Sequence, residues 1–538
     1  MFNKGLRPLA SLLAFSATAA MAQDDASFTA TASEGVVTTT YGQLLGFNNN
    51  GIYTYLGVPY AQAERFAAPQ PPANWDGMRL AMNFGEICPY PTMDAVAQDE
   101  QFNPHRYLPE SEDCQFLNIW TPGISDGGKR PVLVWLHGGG FTNGSSIEGA
   151  SYDGNNFARL GDVVFVSLNH RLNALGALDL SGYGEDFVGN PGMRDIVAAL
   201  EWVQANIEQF GGDPNNVTIM GQSGGGGKVR FLMGSPAAAD LFDKAIVMSG
   251  AGNVAGYPQE VAQAVADRTV ENLGLTEATI SQIREVPYED LLAAGTEAME
   301  QVEAEGLATD LNWRPTVDGD FMPTDPQESW QEFSADKPLL IGNVIHESNT
   351  IIGRDPGELL ADNWHMWSDE HTQEKLTELF GDQAEAWSAA WQEAYPDRPL
   401  SELAFVSMRH RNDSLNAAIY KAENGTAPVY TYLFTYNSPV LDGVAGAWHV
   451  ADVPMALYTV DLIPQAFGGG EDARSMSFDV ARAWINFMRN GDPNHPGLPE
   501  WPAFTPETGA TMILDDYSTV RENHDARLVE LHNATLGG

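Results

Sequence analysis

The sequence predicts an α/β fold: a large, mostly parallel central sheet with helices on both faces. Three observations predict it. Runs 132–136 and 163–168 are almost wholly apolar, as strands buried on both faces must be. Segment 195–209 places Ile196, Ala199, Leu200, Val203 and Ile207 at helical spacing. Further strand-like and helix-like segments keep alternating downstream, the order from which strand–helix–strand crossovers and parallel sheets are built.

Taken in order, the first residues read as a processing segment. Lys4 and Arg7 make a basic start, residues 9–20 a short apolar run, and Ala20-Met21-Ala22 a small-x-small cleavage pattern. Residues 1–22 are therefore expected to be a signal peptide and 23–538 the mature chain, exported to the periplasm or the extracellular medium. The apolar run is too short to span a bilayer, and no later run of 18 apolar residues follows, so no membrane span is expected.

Segment 32–57 alternates β-rich runs with Gly and Asn turns, which suggests an opening hairpin. Pro69, Pro71, Pro72, Pro89 and Pro91 mark irregular chain after it. Short strand-like runs then stand at 217–220, 245–248, 339–341 and 429–434. Residues 358–424 lack such runs and are rich in Trp, Glu and Ala, which predicts a helical insertion over the active site. A late helix over 478–489 ends at Gly491. No repeat or linker divides the chain.

Composition narrows the function. With 72 Asp and Glu against 28 Lys and Arg, the formal charge is −44. Nucleic acid and anionic membrane surfaces both require a basic footprint and are excluded as partners. Cys88 and Cys114 are the two cysteines. In an oxidising compartment they are expected to form a disulfide, and neither C-x-x-C nor H-E-x-x-H occurs to suggest a metal.

The chemistry concentrates in Gly221-Gln222-Ser223-Gly224-Gly225, which follows the β-rich run 217–220 and opens a helix. A G-x-S-x-G in that context is a tight turn that lifts the serine hydroxyl clear of the backbone. Other glycine motifs fail on detail. Gly227-Lys228 is followed by Val229, and Gln222 stands where a phosphate loop needs its first glycine. The run Gly468-x-Gly470-x-x-Ala473 carries Glu471 and Asp472 where a pyrophosphate would lie. By contrast His137-Gly138-Gly139-Gly140-Phe141, leaving strand 132–136, is suited to turn backbone N–H groups toward an oxyanion.

These features resemble the type-B carboxylesterase and cholinesterase-like family of α/β-hydrolases. Phe210-Gly211-Gly212-Asp213-Pro214 with Gly221 to Gly225 is similar to that family's serine signature, and Glu112 to Pro122 to its second. Asn169-His170-Arg171-Leu172, Gly189-Asn190-Pro191-Gly192 and Trp501-Pro502 extend the likeness over residues 33–515. Gln222, Gly224 and Ser348 depart from the family's usual Glu, Ala and Gly, and Gln115 from its usual Leu.

The resemblance implies a serine ester hydrolase with the triad Ser223, Glu347 and His449, from Gly342-Asn343 to Glu347 and from Gly446-Ala447-Trp448-His449. It implies an oxyanion hole from the N–H groups of Gly139, Gly140 and Gly224, a small-molecule ester as substrate, and no metal or organic cofactor. Phe141 and Trp448 adjoin these positions and are the candidate substrate-pocket residues. Asp452 is the rival for the triad acid because it lies three residues from His449; Asp318 and Asp320 are weaker rivals. The competing functions are a non-catalytic binding protein on the same fold and a serine peptidase or amidase.

Overall fold

The computed structural model describes residues 27–91, 98–252, 256–347 and 355–536. The proposed signal segment 1–22 and Ser348 lie outside the described residues.

Among the described residues the central sheet has twelve strands. In chain order they are β1 (Phe28–Thr29), β2 (Phe47–Asn49), β3 (Ile52–Pro59), β4 (Phe116–Thr121), β5 (Arg130–Leu136) and β6 (Val164–Leu168). They continue as β7 (Gly212–Gln222), β8 (Lys244–Met248), β9 (Leu339–Val344), β10 (Val429–Phe434), β11 (Ala510–Leu514) and β12 (Thr519–Glu522). Their spatial order is β1-β2-β3-β4-β6-β5-β7-β8-β9-β10-β11-β12. From β6 through β11 every neighbouring pair is parallel. The flanking strands β1 to β4 and β12 are antiparallel.

Side chains alternate across this sheet with the two-residue period of extended chain. On β5, Leu133 and Trp135 enter one core while Val132, Val134 and Leu136 enter the other. On β7, Met220 joins the first core and Val217 and Ile219 the second. Helix Glu471–Asn490 covers the first face with Val480, Trp484 and Phe487, and ends at Gly491 in the left-handed conformation. Helix Pro191–Asn206 covers the second with Ile196, Leu200 and Val203. Each such buried side chain contributes roughly 1.5–3 kcal/mol, so this two-sided packing holds the strand ends in register.

The opening segment forms two hairpins rather than one. Val36–Thr38 pairs with Gln43–Leu45, and β2 pairs with β3 through Asn50-Gly51. Both turn residues have positive φ (54° and 86°), the requirement of a tight hairpin turn. Between β9 and β10 the described chain holds helices Pro356–Ala361, Asp369–Phe380, Ala384–Ala394 and Met408–Asn424, with no described strand. Trp364, Trp387 and Trp391 are buried there as packing residues.

A second helical pair lies outside the insertion expected at 358–424. Helices Gln259–Asn272 and Tyr288–Ala304 form a separate core with Leu175, Leu178 and Phe187, which also seats Trp313. Cys88 and Cys114 are joined by a disulfide beneath Leu172. Among the described residues no helix is long and apolar enough to cross a membrane.

Candidate active site

The C-terminal ends of β5, β7 and β9 lie near one another in the sheet, and each runs directly into a candidate segment. This is where open parallel sheets gather their ligands. Ser223 sits between β7 and helix Gly224–Met233 with φ 56° and ψ −124°, a conformation L-residues avoid. Its backbone is fixed on both sides: its N–H donates to Met248 O at 2.9 Å and its carbonyl accepts from Gly227 N at 3.0 Å. Glycine is obligatory around it. A Cβ on Gly221 would lie 2.3 Å from the Gly225 backbone, and one on Gly225 would lie 2.0 Å from Leu136 O.

His449 and Glu347 come together although 102 residues separate them. The Nδ1–H of His449 donates to Glu347 Oε2, and Glu347 Oε1 accepts from Val344 N at 3.1 Å. A parallel bridge between His346 and Trp448 keeps the two loops in step, so that the next residue on each loop meets its partner. His346 secures that bridge. Its Nδ1 accepts from Ala447 N at 2.9 Å and its Nε2 lies 2.9 Å from Glu402, which Arg398 also holds.

Burial alone would push the Glu347 carboxyl up, but the charge and hydrogen bond of His449 outweigh it and leave the carboxyl below its usual range. For His449 burial favours the neutral ring, yet Glu347, by charge and hydrogen bond, and then Asp452 leave its pKa raised above the ordinary value. The rival Asp452 does not touch the ring. It accepts from Tyr432 Oη at 2.7 Å, and burial pushes its carboxyl up to about 7. Asp318 accepts from Asn190, Asp320 and Met322 instead.

The second ring nitrogen of His449 faces the side-chain amide of Gln222, 3.2 Å away. The Ser223 hydroxyl makes no hydrogen bond among the described residues.

The glycine run 138–140 lies against this serine. A Cβ on Gly138 would be 3.6 Å from Ser223 Cβ, and one on Gly224 would be 2.3 to 2.4 Å from the O, Cα and N of Gly140. Gly139 and Gly140 have φ of 76° and 65°, open to glycine and strained for other residues. Their N–H groups, and that of Gly224, donate to no described residue, so three backbone donors remain free beside Ser223. Lys228 supports this loop from below. Its buried ammonium donates to His137 O at 2.9 Å and Gly138 O at 3.4 Å, and it lies 5.6 Å from the Phe141 ring centroid. Burial lowers its pKa to about 7.

Ser223, His449, Glu347, Gly140, Gly224 and Phe141 line one cavity of about 540 Å³, a volume ordinary for a small-molecule site. Trp448 does not line it. That residue is 1% exposed and packs against Phe102 and Phe467 at 5.4 and 5.0 Å between ring centroids, so it belongs to the core. The aromatic wall is instead Phe141 and Trp313, with His410 at the first turn of helix Met408–Asn424. Among the described residues no group of three or more His, Cys, Asp or Glu is arranged to hold a metal ion. A serine on a strained turn, an imidazole backed by a carboxylate and free N–H donors can together transfer an acyl group.

Residues 33–531 match the family model described as the carboxylesterase family. The chain is 32% identical to the para-nitrobenzyl esterase of Bacillus subtilis, over 91% of this chain and 97% of that protein. It is 33% identical to the phenmedipham hydrolase of Pseudarthrobacter oxydans, over 89% and 94%. Among solved structures it superposes on an esterase from anaerobic Clostridium hathewayi that can hydrolyze aliphatic aromatic polyesters. That match has a TM-score of 0.86 and 36% identity, and covers 95% of this chain and 99% of the other.

Proposed function

The chain belongs to the carboxylesterase family and is a carboxylic ester hydrolase, and from that premise we propose that it works through an acyl-enzyme on Ser223. His449 takes the hydroxyl proton as Ser223 Oγ bonds to the ester carbonyl carbon. The carbonyl electron pair moves to oxygen, and the N–H groups of Gly139, Gly140 and Gly224 receive that charge. When the intermediate collapses the alcohol leaves with the proton from His449, and water repeats the sequence to release the acid. Glu347 holds the His449 tautomer and stabilises the imidazolium.

The observation that supports this most is the pairing of Glu347 with His449 Nδ1 beside a serine on a strained strand-to-helix turn. In the resting arrangement Nε2 faces Gln222, so substrate entry must exchange that contact for the serine hydroxyl. Phe141 and Trp313 favour flat aryl or medium-chain acyl groups against the cavity wall. A sulfonyl fluoride should label Ser223 in a peptide map, and Ser223→Ala should abolish hydrolysis of p-nitrophenyl esters. An adduct on any other serine overturns the assignment.

We further propose export with cleavage after Ala22, leaving Gln23 as the new N-terminus. The disulfide between Cys88 and Cys114 supports it, because such bonds persist in oxidising compartments. Intact mass of protein from the exporting host, with and without reduction, tests both halves; retained Met1 with two free thiols overturns them.

A further inference from the structure

Two arginines line the same cavity as Ser223, Arg314 and Arg409, in a chain whose acidic residues outnumber its basic ones 72 to 28. In such a protein a guanidinium ordinarily finds a carboxylate. Arg130, Arg171, Arg398 and Arg411 each hold one at 2.8 Å or less. Other arginines spend their donors on backbone carbonyls, as Arg159 does on Asn49 and Arg284 on Asp186.

Arg314 does neither. Its Nε donates to Asn312 Oδ1 at 2.9 Å and its guanidinium lies 4.6 Å over the Tyr257 ring, which fixes the group in place. Its two terminal nitrogens donate to no described residue. Among the described residues Arg409 comes no closer than 4.0 Å to a carboxylate, that of Asp413 one helical turn on, and makes no hydrogen bond. Glu347, the carboxylate on the cavity wall, is already committed to His449. The cavity therefore presents one held guanidinium with free donors, Arg314, and a second, half-exposed one, Arg409, next to Trp313 and Phe141.

A guanidinium edge with two free N–H groups matches a carboxylate in a bidentate fork. We infer that the cavity selects esters carrying a free carboxylate, held by Arg314 and Arg409 while the ester carbonyl lies at Ser223; the monoester of an aromatic dicarboxylic acid is the simplest. Its ring rests against Trp313 and Phe141, and hydrolysis releases the dicarboxylic acid and an alcohol. The acidic exterior disfavours anions elsewhere on the molecule, so the local pair of cations supplies the discrimination.

This inference rests on Ser223 being the nucleophile, and the test separates the two. With the full chain, kcat/KM is measured for monomethyl terephthalate and for methyl 4-carbamoylbenzoate, in which a neutral amide replaces the carboxylate. The wild type should favour the carboxylate ester about tenfold, as expected for a charge-assisted pair. Arg314→Gln combined with Arg409→Gln should bring the ratio near one, chiefly through a higher KM for the carboxylate ester. A ratio that is the same in wild type and in the folded double variant overturns the carboxylate preference, while loss of all turnover in Ser223→Ala leaves the hydrolase assignment standing. Turnover that persists in Ser223→Ala overturns both.

Discussion

The side-chain amide of Gln222 lies 3.2 Å from Nε2 of His449, on the opposite side of the ring from Glu347. An amide nitrogen only donates, so Nε2 is the acceptor and the ring proton sits on Nδ1, facing Glu347. That is the tautomer a general base requires. It also means that Gln222, the residue between Gly221 and Ser223, touches the base directly.

Gln222→Glu should therefore shift the pH dependence of hydrolysis. His449 acts when neutral, so activity is present above its pKa and is lost as pH falls through it. With the pKa already raised by Glu347 and then Asp452 against the effect of burial, the acid limb of kcat/KM should lie above about 6.5. A carboxylate in place of the amide favours the imidazolium and should move that limb upward by about one unit. A limb that stays put in the variant would show that residue 222 does not face the ring.

Gly224 bears on the oxyanion donors. A methyl group there meets the O, Cα and N of Gly140 at 2.3 to 2.4 Å, and a backbone on a strained turn cannot yield cheaply. Gly224→Ala should push the glycine loop away from Ser223 and lower kcat by roughly 10² to 10³, about the effect of losing one oxyanion donor. KM should change far less. Steady-state kinetics with wild-type rates in this variant would place the loop elsewhere in solution.

Much of this site is legible in the sequence because its pieces are local. The turn around Ser223 and the run His137 to Phe141 each follow a buried strand, and local chain chemistry dictates both. Glu347 and His449 are legible only through their flanking patterns, since their meeting depends on the His346–Trp448 bridge between distant loops. That same bridge turns Trp448 into the core and away from the cavity. Adjacent residues on extended chain point opposite ways, so the neighbour of a site histidine enters the core. Lys228 and Arg314 carry no local signature. Lys228 meets a loop 90 residues earlier, and Arg314 is delivered by a helical pair whose apolar spacing (Val261, Val265, Leu291, Met299) was there to be read.

The identity of the triad acid is tested by two substitutions. Glu347→Gln should leave the fold intact and cut kcat by roughly 10³ to 10⁴, because an amide can support the wrong tautomer. Asp452→Asn should cost less than about tenfold, since Asp452 is buried against the Tyr432 hydroxyl and does not touch His449. Thermal unfolding of both variants separates chemistry from folding; the reverse ranking in two folded proteins would reassign the acid to Asp452.

Lys228 makes a prediction about both rate and stability. A peptide's C=O and N–H point in opposite directions, so an ammonium that pins the Gly138 carbonyl from below turns the Gly139 N–H toward the serine side. Lys228→Met removes that tether and should lower kcat by about one to two orders of magnitude, with a smaller change in KM. The stability effect has a definite sign. Burial lowers the amine to about 7 in the folded protein, whereas the unfolded chain titrates near 10.4. Between those values the unfolded state binds more protons, so this group makes the wild type more stable as pH rises from about 7 toward 10. Below 7 both states carry the charge and the desolvation cost is felt in full. The methionine variant lacks this term, and the difference in unfolding free energy between wild type and variant should move in favour of the wild type from pH 7 to pH 9. Parallel denaturation curves at the two pH values, with a constant difference, would show that Lys228 is not held in the desolvated position beneath the glycine loop.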